Sequence, residues 1–196
     1  MASKPILARR PGTSGKGTAA VAAMVAIAAP FLAVWEGKAN QPYFDIVGVK
    51  TVCYGETEKV ESRRYSDDEC AALLRARIPD YAAPVAKLAP GIEASPYEWA
   101  AHTSLAYNIG VTAYSRSSIV REFNKGNRVE ACRRIRLYDK AGGRIVRGLQ
   151  FRRQGEGARI GEYELCLVGA VPVELAKGQG YCRIGHRPGW QSKARG

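Results

Sequence analysis

The sequence predicts a mostly helical α+β fold in two lobes, a small β lobe and then a helical lobe, behind an N-terminal hydrophobic helix. Three observations carry that prediction. Residues 17–35 run for nineteen positions without a charge, behind Lys4, Arg9, Arg10 and Lys16. Residues 43–57 mix Phe44, Ile46, Val47, Val49, Val52 and Tyr54 with Gly48 and Gly55, as short twisted strands joined by tight turns do. Beyond residue 65, helix-start signals recur ahead of apolar residues at helical spacing. The 196 residues suit one domain with extensions, divided here into residues 1–35, 36–169 and 170–196.

The uncharged run would span about 28 Å as a helix, close to the hydrocarbon thickness of a bilayer. Basic residues on its N-terminal side hold that end in the cytoplasm and send the rest outward. The run is a weak anchor, because eight of its nineteen residues are alanine and Gly17, Thr18 and Pro30 add little. Val21, Met24, Val25, Ile27, Phe31, Leu32 and Val34 supply most of its apolarity. Three readings stay open: an anchor that can leave the bilayer, a signal peptide cut at Ala26-Ile27-Ala28, and a buried core helix. The last fits an uncharged run behind a basic end least well.

Further on, Ser66-Asp67-Asp68-Glu69 is a capping box with Tyr65 and Cys70 in staple positions, and Pro79 is expected to stop its helix. Ser95-Pro96-Tyr97-Glu98 reads as a second box, with Gly110 closing the helix. Ser117 or Ser118 starts a short helix that ends near Gly126, and Asn127 with Glu130 opens another. Ala141-Gly142-Gly143 is a turn, and residues 162–168 form a last helix before a basic tail of low periodicity.

The hydrophobic fraction of 46% can fill a core, and the charged fraction of 24% excludes a disordered chain. Thirty Lys and Arg against eighteen Asp and Glu, a net charge of +12, favour an anionic partner such as a membrane surface, a wall polymer or nucleic acid. Residues 1–35, 36–170 and 171–196 carry +4 each, so no basic block exists and nucleic acid is not expected. Five cysteines without C-x-x-C spacing and only two histidines argue against a zinc site, and no cofactor is expected.

Glu36, Asp45 and Thr51 stand in the spacing E-x8-D-x5-T, with Glu36 at a helix end and the other two on the small strands. Two carboxylates across a cleft suit glycoside hydrolysis: one donates a proton to the leaving oxygen, and the other stays ionised to guide water or the developing cation. A hydroxyl such as that of Thr51 can hold the attacking water. Spacing alone does not separate this set from ordinary solvated acids.

The neighbouring residues do. Trp35-Glu36-Gly37 and Tyr43-Phe44-Asp45-Ile46-Val47-Gly48-Val49-Lys50-Thr51-Val52-Cys53-Tyr54-Gly55-Glu56-Thr57 closely resemble the bacteriophage-type lysozymes of glycoside hydrolase family 24. Ser104-Leu105-Ala106-Tyr107-Asn108-Ile109-Gly110, Asn124-Lys125-Gly126, Ala141-Gly142-Gly143, Gly148-Leu149 and Arg152-Arg153 follow in that family's order. Residues 17–35 are similar to the signal-anchor-release segments of one endolysin branch. The resemblance implies a two-lobed phage-lysozyme-like fold with Glu36 as general acid, Asp45 as second carboxylate and Thr51 as the water-holding hydroxyl. It implies hydrolysis of the β-1,4 link between N-acetylmuramic acid and N-acetylglucosamine in peptidoglycan, for host-cell lysis, with Asn108 lining the cleft. The implied protein is a monomer held in the inner membrane through residues 17–35, then released to the periplasm. A rival reading is a non-catalytic, membrane-anchored wall binder of the same fold, which would have no need of all three residues.

Three departures from the pattern stand out: Glu56 where His is usual, Tyr138 where Trp is usual, and a longer segment over residues 154–161. His102, Trp35 and Trp99 read as packing residues. Cys53 with Cys70, and Cys132 with Cys166, are the expected disulfides within each lobe, leaving Cys182 free. Because Glu36 directly follows the apolar run, it is kept from Asp45 and Thr51 while that run lies in a bilayer. Release lets it join them, with the run packed on the enzyme or left flexible.

Overall fold

A computed structural model describes residues 15–45 and 48–176. The first basic residues, Ile46, Val47, Cys182 and the rest of the tail lie outside the described residues. Helix α1, Gly15–Glu36, is followed by an antiparallel hairpin of β1, Ala39–Phe44, and β2, Lys50–Cys53, with Tyr43 opposite Thr51. Helix α2, Asp67–Leu88, leads into a 3-10 turn at Ile92–Ala94 and then α3, Pro96–Ile109. Short helices α4, Val111–Ser115, α5, Ser118–Asn124, and α6, Arg128–Ile135, precede a second hairpin, β3 Lys140–Ala141 with β4 Arg144–Ile145. Helices α7, Arg147–Gln154, and α8, Glu162–Ala176, complete the helical lobe.

The lobes follow from two cores. Val52, Cys53, Tyr65 and Cys70 form the small one, closed by the Cys53–Cys70 disulfide with Cα atoms 5.0 Å apart. The large one wraps α3, whose buried face meets α1, α2 and α8, and carries the Cys132–Cys166 disulfide, with Cα atoms 5.6 Å apart. Both expected pairings are therefore formed, each inside one lobe.

Helix α1 belongs to the large core. Met24, Ala28, Phe31 and Leu32 are buried in it, whereas Thr18, Ala19, Ala22, Ala23, Ala26 and Val34 face out. The stretch Gly17–Glu36 is also long and apolar enough to cross a membrane. The core-helix reading, placed last from sequence, thus describes this conformation, because the few bulky residues of an alanine-rich helix cluster on one side.

Other expectations need correction. Pro79 does not stop α2, which continues past Pro84 to Leu88. Each proline removes one helical hydrogen bond, but the carbonyls released belong to Arg75 and Asp80, both exposed residues that water can serve. Meanwhile Ile78, Ala82 and Val85 keep the helix's inner face in the core. The Ser66 capping box is complete, whereas the Ser95 box is half formed: Ser95 Oγ accepts from Glu98 N, and the Glu98 side chain is buried against Arg128 instead. Asn127 makes no side-chain cap, since its amide donates to Glu122. Helix α7, poor in apolar residues, gave no sequence signal, and α8 runs on beyond residue 169 with Ala170 buried.

Two glycines fix approaches that no side chain allows. A Cβ on Gly169 would lie 2.1 Å from Ser95 Oγ and 2.7 Å from Glu98 N, so α8 crosses the start of α3 at backbone distance. Gly155 has φ +85, and a Cβ there would lie 2.7 Å from the Arg159 carbonyl, inside the tight turn that the longer segment makes.

Candidate active site

Glu36 is the last residue of α1, one turn beyond the buried Leu32 on the same side of the helix. The packing that buries Leu32 therefore carries Glu36 inward. Gly37, with φ +70, then turns the chain into β1. The Glu36 side chain is only 18% exposed, and its Oε1 lies 2.7 Å from Arg152 Nη2.

Arg152 is held from below by Glu162, a fully buried carboxylate at the start of α8. Glu162 Oε1 accepts from Ser104 Oγ at 2.7 Å and from Arg152 Nε at 3.0 Å, while Oε2 accepts from Arg153 Nη1. Arg153 in turn donates to Asn108 Oδ1 and to the Tyr138 carbonyl. Burial works against the charge on Arg152, but Glu162 and Glu36 outweigh it and raise its pKa. On Arg153 burial prevails and the pKa falls. So Ser104 and Asn108 from one motif, Arg152 and Arg153 from another, and Glu36 meet in one ionic network (two guanidinium groups against two carboxylates). Glu162 was missed from sequence because a buried, fully bonded Glu looks like any helix-start acid.

The hairpin organises the other two residues. Asp45 lies one position past the end of β1, and its Oδ1 accepts from Val49 N at 2.8 Å. Thr51, on β2 and 5% exposed, donates from Oγ1 to the Val49 carbonyl at 3.0 Å. Both side chains are thus tied to Val49 in the same hairpin, and Glu36 ends the helix that leads into it.

Tyr107 joins the lobes at this level. From α3 its hydroxyl donates to the Tyr54 carbonyl at 2.8 Å, and its ring lies tilted against Tyr81 of α2, centroids 4.7 Å apart. Burial and then the charge of Glu36 raise its pKa, so it stays protonated as a donor. Glu56 has taken up local work: its Oε1 accepts from Thr57 N and Glu58 N. In the longer segment, Glu156 and Arg159 pair by backbone and side chain, and the Arg159 guanidinium sits 5.1 Å from the Trp35 ring, beside Glu36. Asn108 is exposed at the end of α3, with its oxygen committed to Arg153. A cavity of about 600 Å³, walled by residues such as Lys87, Phe123 and Asn124, shares none with this set.

A carboxylate at a helix end, with a second acid and a hydroxyl on the hairpin that follows, is a set of the kind that suits glycoside hydrolysis. The chain belongs to the phage lysozyme family, whose description it matches over residues 33–156. It is 37% identical to the SAR-endolysin of Escherichia phage Mu over 124 residues, 63% of this chain and 72% of that protein. It is also 37% identical to the SAR-endolysin of Enterobacteria phage P21 over 138 residues, 68% of this chain and 78% of that protein. The active form of P1 phage endolysin Lyz superimposes with a TM-score of 0.61 at 26% identity, over 76% of this chain and 94% of that one. A single-site mutant of P22 lysozyme gives 0.61 at 25% identity, over 71% of this chain and 94% of that one.

Proposed function

We propose that the chain is an endolysin that hydrolyses the β-1,4 bond between N-acetylmuramic acid and N-acetylglucosamine in peptidoglycan, with Glu36 as general acid, Asp45 as second carboxylate and Thr51 holding the attacking water. Glu36 protonates the leaving glycosidic oxygen. Asp45, on the hairpin, stays ionised and steadies the developing positive charge or the incoming water. Asn108 presents its amide to the sugar chain beside them.

In this reading the monomer first sits in the host inner membrane through residues 17–35, with the N-terminus in the cytoplasm, and then leaves it for the periplasm. One observation supports it above the others: Glu36 meets Arg152 with the helix that could span the bilayer packed on the helical lobe, a contact that insertion of that helix would break. Cleavage at Ala28 would take Met24 and Ala28 out of the core, which favours release of the helix intact.

The test is release of reducing sugar from purified peptidoglycan by the full chain, beside Glu36→Gln, Asp45→Asn and Thr51→Ala. Loss of general acid catalysis costs about 10²–10⁴-fold or more, without unfolding. Full activity of Glu36→Gln ends this assignment.

A further inference from the structure

In the helical lobe, Glu98, His102, Cys132 and Cys166 are all buried, and their potential ligand atoms lie within 4.8 Å of one another. Glu98 and His102 stand one turn apart on α3, Cys132 comes from α6 and Cys166 from α8. His102 Nδ1 is 2.7 Å from the Tyr114 hydroxyl, while the buried Nε2 has no hydrogen-bond partner among the described residues. Glu98 Oε2 takes both hydrogen bonds from Arg128, at 2.6 and 2.8 Å.

We propose that, when Cys132 and Cys166 are reduced, these four side chains bind one Zn²⁺, so that a metal joining α3, α6 and α8 is the alternative to a disulfide joining α6 and α8. Two thiolates, an imidazole and a carboxylate make the tetrahedral donor set that zinc prefers, and ligand bonds of about 2.0–2.3 Å call for edges of roughly 3.3–3.8 Å, reached when the two reduced sulfurs part and the other ligand atoms draw in. The imidazole Nδ1–H would donate to the Tyr114 oxygen, leaving Nε2 for the metal, the usual outer support of a ligating histidine.

Charge closes as well. Zn²⁺ with two thiolates and one carboxylate carries one negative charge, and Arg128 supplies the compensating positive one, so the buried site is neutral. Binding releases the two thiol protons to solvent. A newly made chain has both thiols. In the oxidised protein a phosphine regenerates them, its phosphorus taking an oxygen from water as the S–S bond gains two electrons and two protons. A Glu-x3-His pair on one helix facing two distant cysteines has neither the C-x-x-C spacing nor the several histidines by which a zinc site shows in a sequence.

The experiment titrates Co²⁺, then Zn²⁺, into the full chain after phosphine reduction. The expected result is one equivalent bound, with tetrahedral cobalt bands in the visible and a thiolate band in the near ultraviolet, and no such bands in the oxidised protein. Zn²⁺ should shield Cys132 and Cys166, and not Cys53, Cys70 or Cys182, from alkylation in peptide maps. His102→Gln should lower affinity at least about tenfold, and Tyr114→Phe, which keeps the ring, by about tenfold. Absence of tetrahedral bands, shielding of other cysteines, or unchanged affinity in Tyr114→Phe would overturn the proposal. So would a reduced chain that unfolds and takes up no metal.

Discussion

Arg152 Nη2 lies 2.7 Å from Glu36 Oε1, and the same guanidinium is anchored on the fully buried Glu162. The end of the first helix is thereby tied to the start of the last one. The position of Glu36 rests on a residue 116 positions further along the chain.

That tie sets the first prediction. Arg152→Met leaves Glu36 and Glu162 buried beside one remaining arginine, and breaking such a pair costs about 3–5 kcal/mol. Urea unfolding should show that loss, with peptidoglycan hydrolysis reduced at least tenfold. Wild-type stability and activity in this variant would show that the network does not hold Glu36.

Acid sensitivity is the second. Burial, then the nearby Arg128 charge, lowers the His102 pKa to about 3 from an ordinary 6.5. The unfolded chain takes up this proton below pH 6.5 and the folded one does not. Stability from the neutral imidazole is therefore complete above pH 6.5 and falls by about 1.4 kcal/mol per pH unit towards pH 3. His102→Gln should flatten the slope of unfolding free energy against pH between 6 and 4, and an unchanged slope would remove His102 as its source.

Gly169 offers the third. Ser95 Oγ is pinned as a helix cap, so a methyl group 2.1 Å away cannot be accommodated by a rotamer change alone. Gly169→Ala should destabilise by about 1–3 kcal/mol, as overpacking does. A chain of this size should then melt several degrees lower in calorimetry.

The fourth separates anchor from core. Ala22 and Ala26 face away from the lobe, so leucine at both should leave the packed enzyme intact while strengthening insertion. In lysing cells the protein should stay with the membrane fraction and lysis should be delayed. The purified, released protein should retain its activity. Cleavage near Ala28 with lysis on schedule would mean a signal peptide instead.

Much of this architecture was legible in the chain. Ser66, Ser95 and Ser117 each cap the helix assigned to them, because a cap is a local contract between a side chain and its next turn. The disulfides followed from assigning each cysteine to a lobe. What failed depended on distant surroundings. Pro79 sits in a helix that tertiary burial holds together, and Glu98 left its box for Arg128, thirty residues on. Glu162, Arg152 and Arg153 are charges in a core, and composition cannot tell a paired internal charge from a hydrated one. Helix α7 exists because those arginines reach inward, not because of an apolar stripe.

Helix α1 has one further consequence, in how its composition answers to two solvents. Its bulkiest residues, Met24, Phe31 and Leu32, are turned into the lobe, and the outward side is small, with Ala19, Ala22, Ala23 and Ala26 beside Thr18, Pro30 and Val34. A helix with leucine all round would hold fast in lipid but would coat the free enzyme with grease and drive it to aggregate. Alanine is apolar enough for the one medium and unobtrusive enough in the other. Preparations trimmed to begin at residue 36 would discard part of the hydrophobic core along with the apolar helix, and would yield a misfolded chain in place of a soluble enzyme.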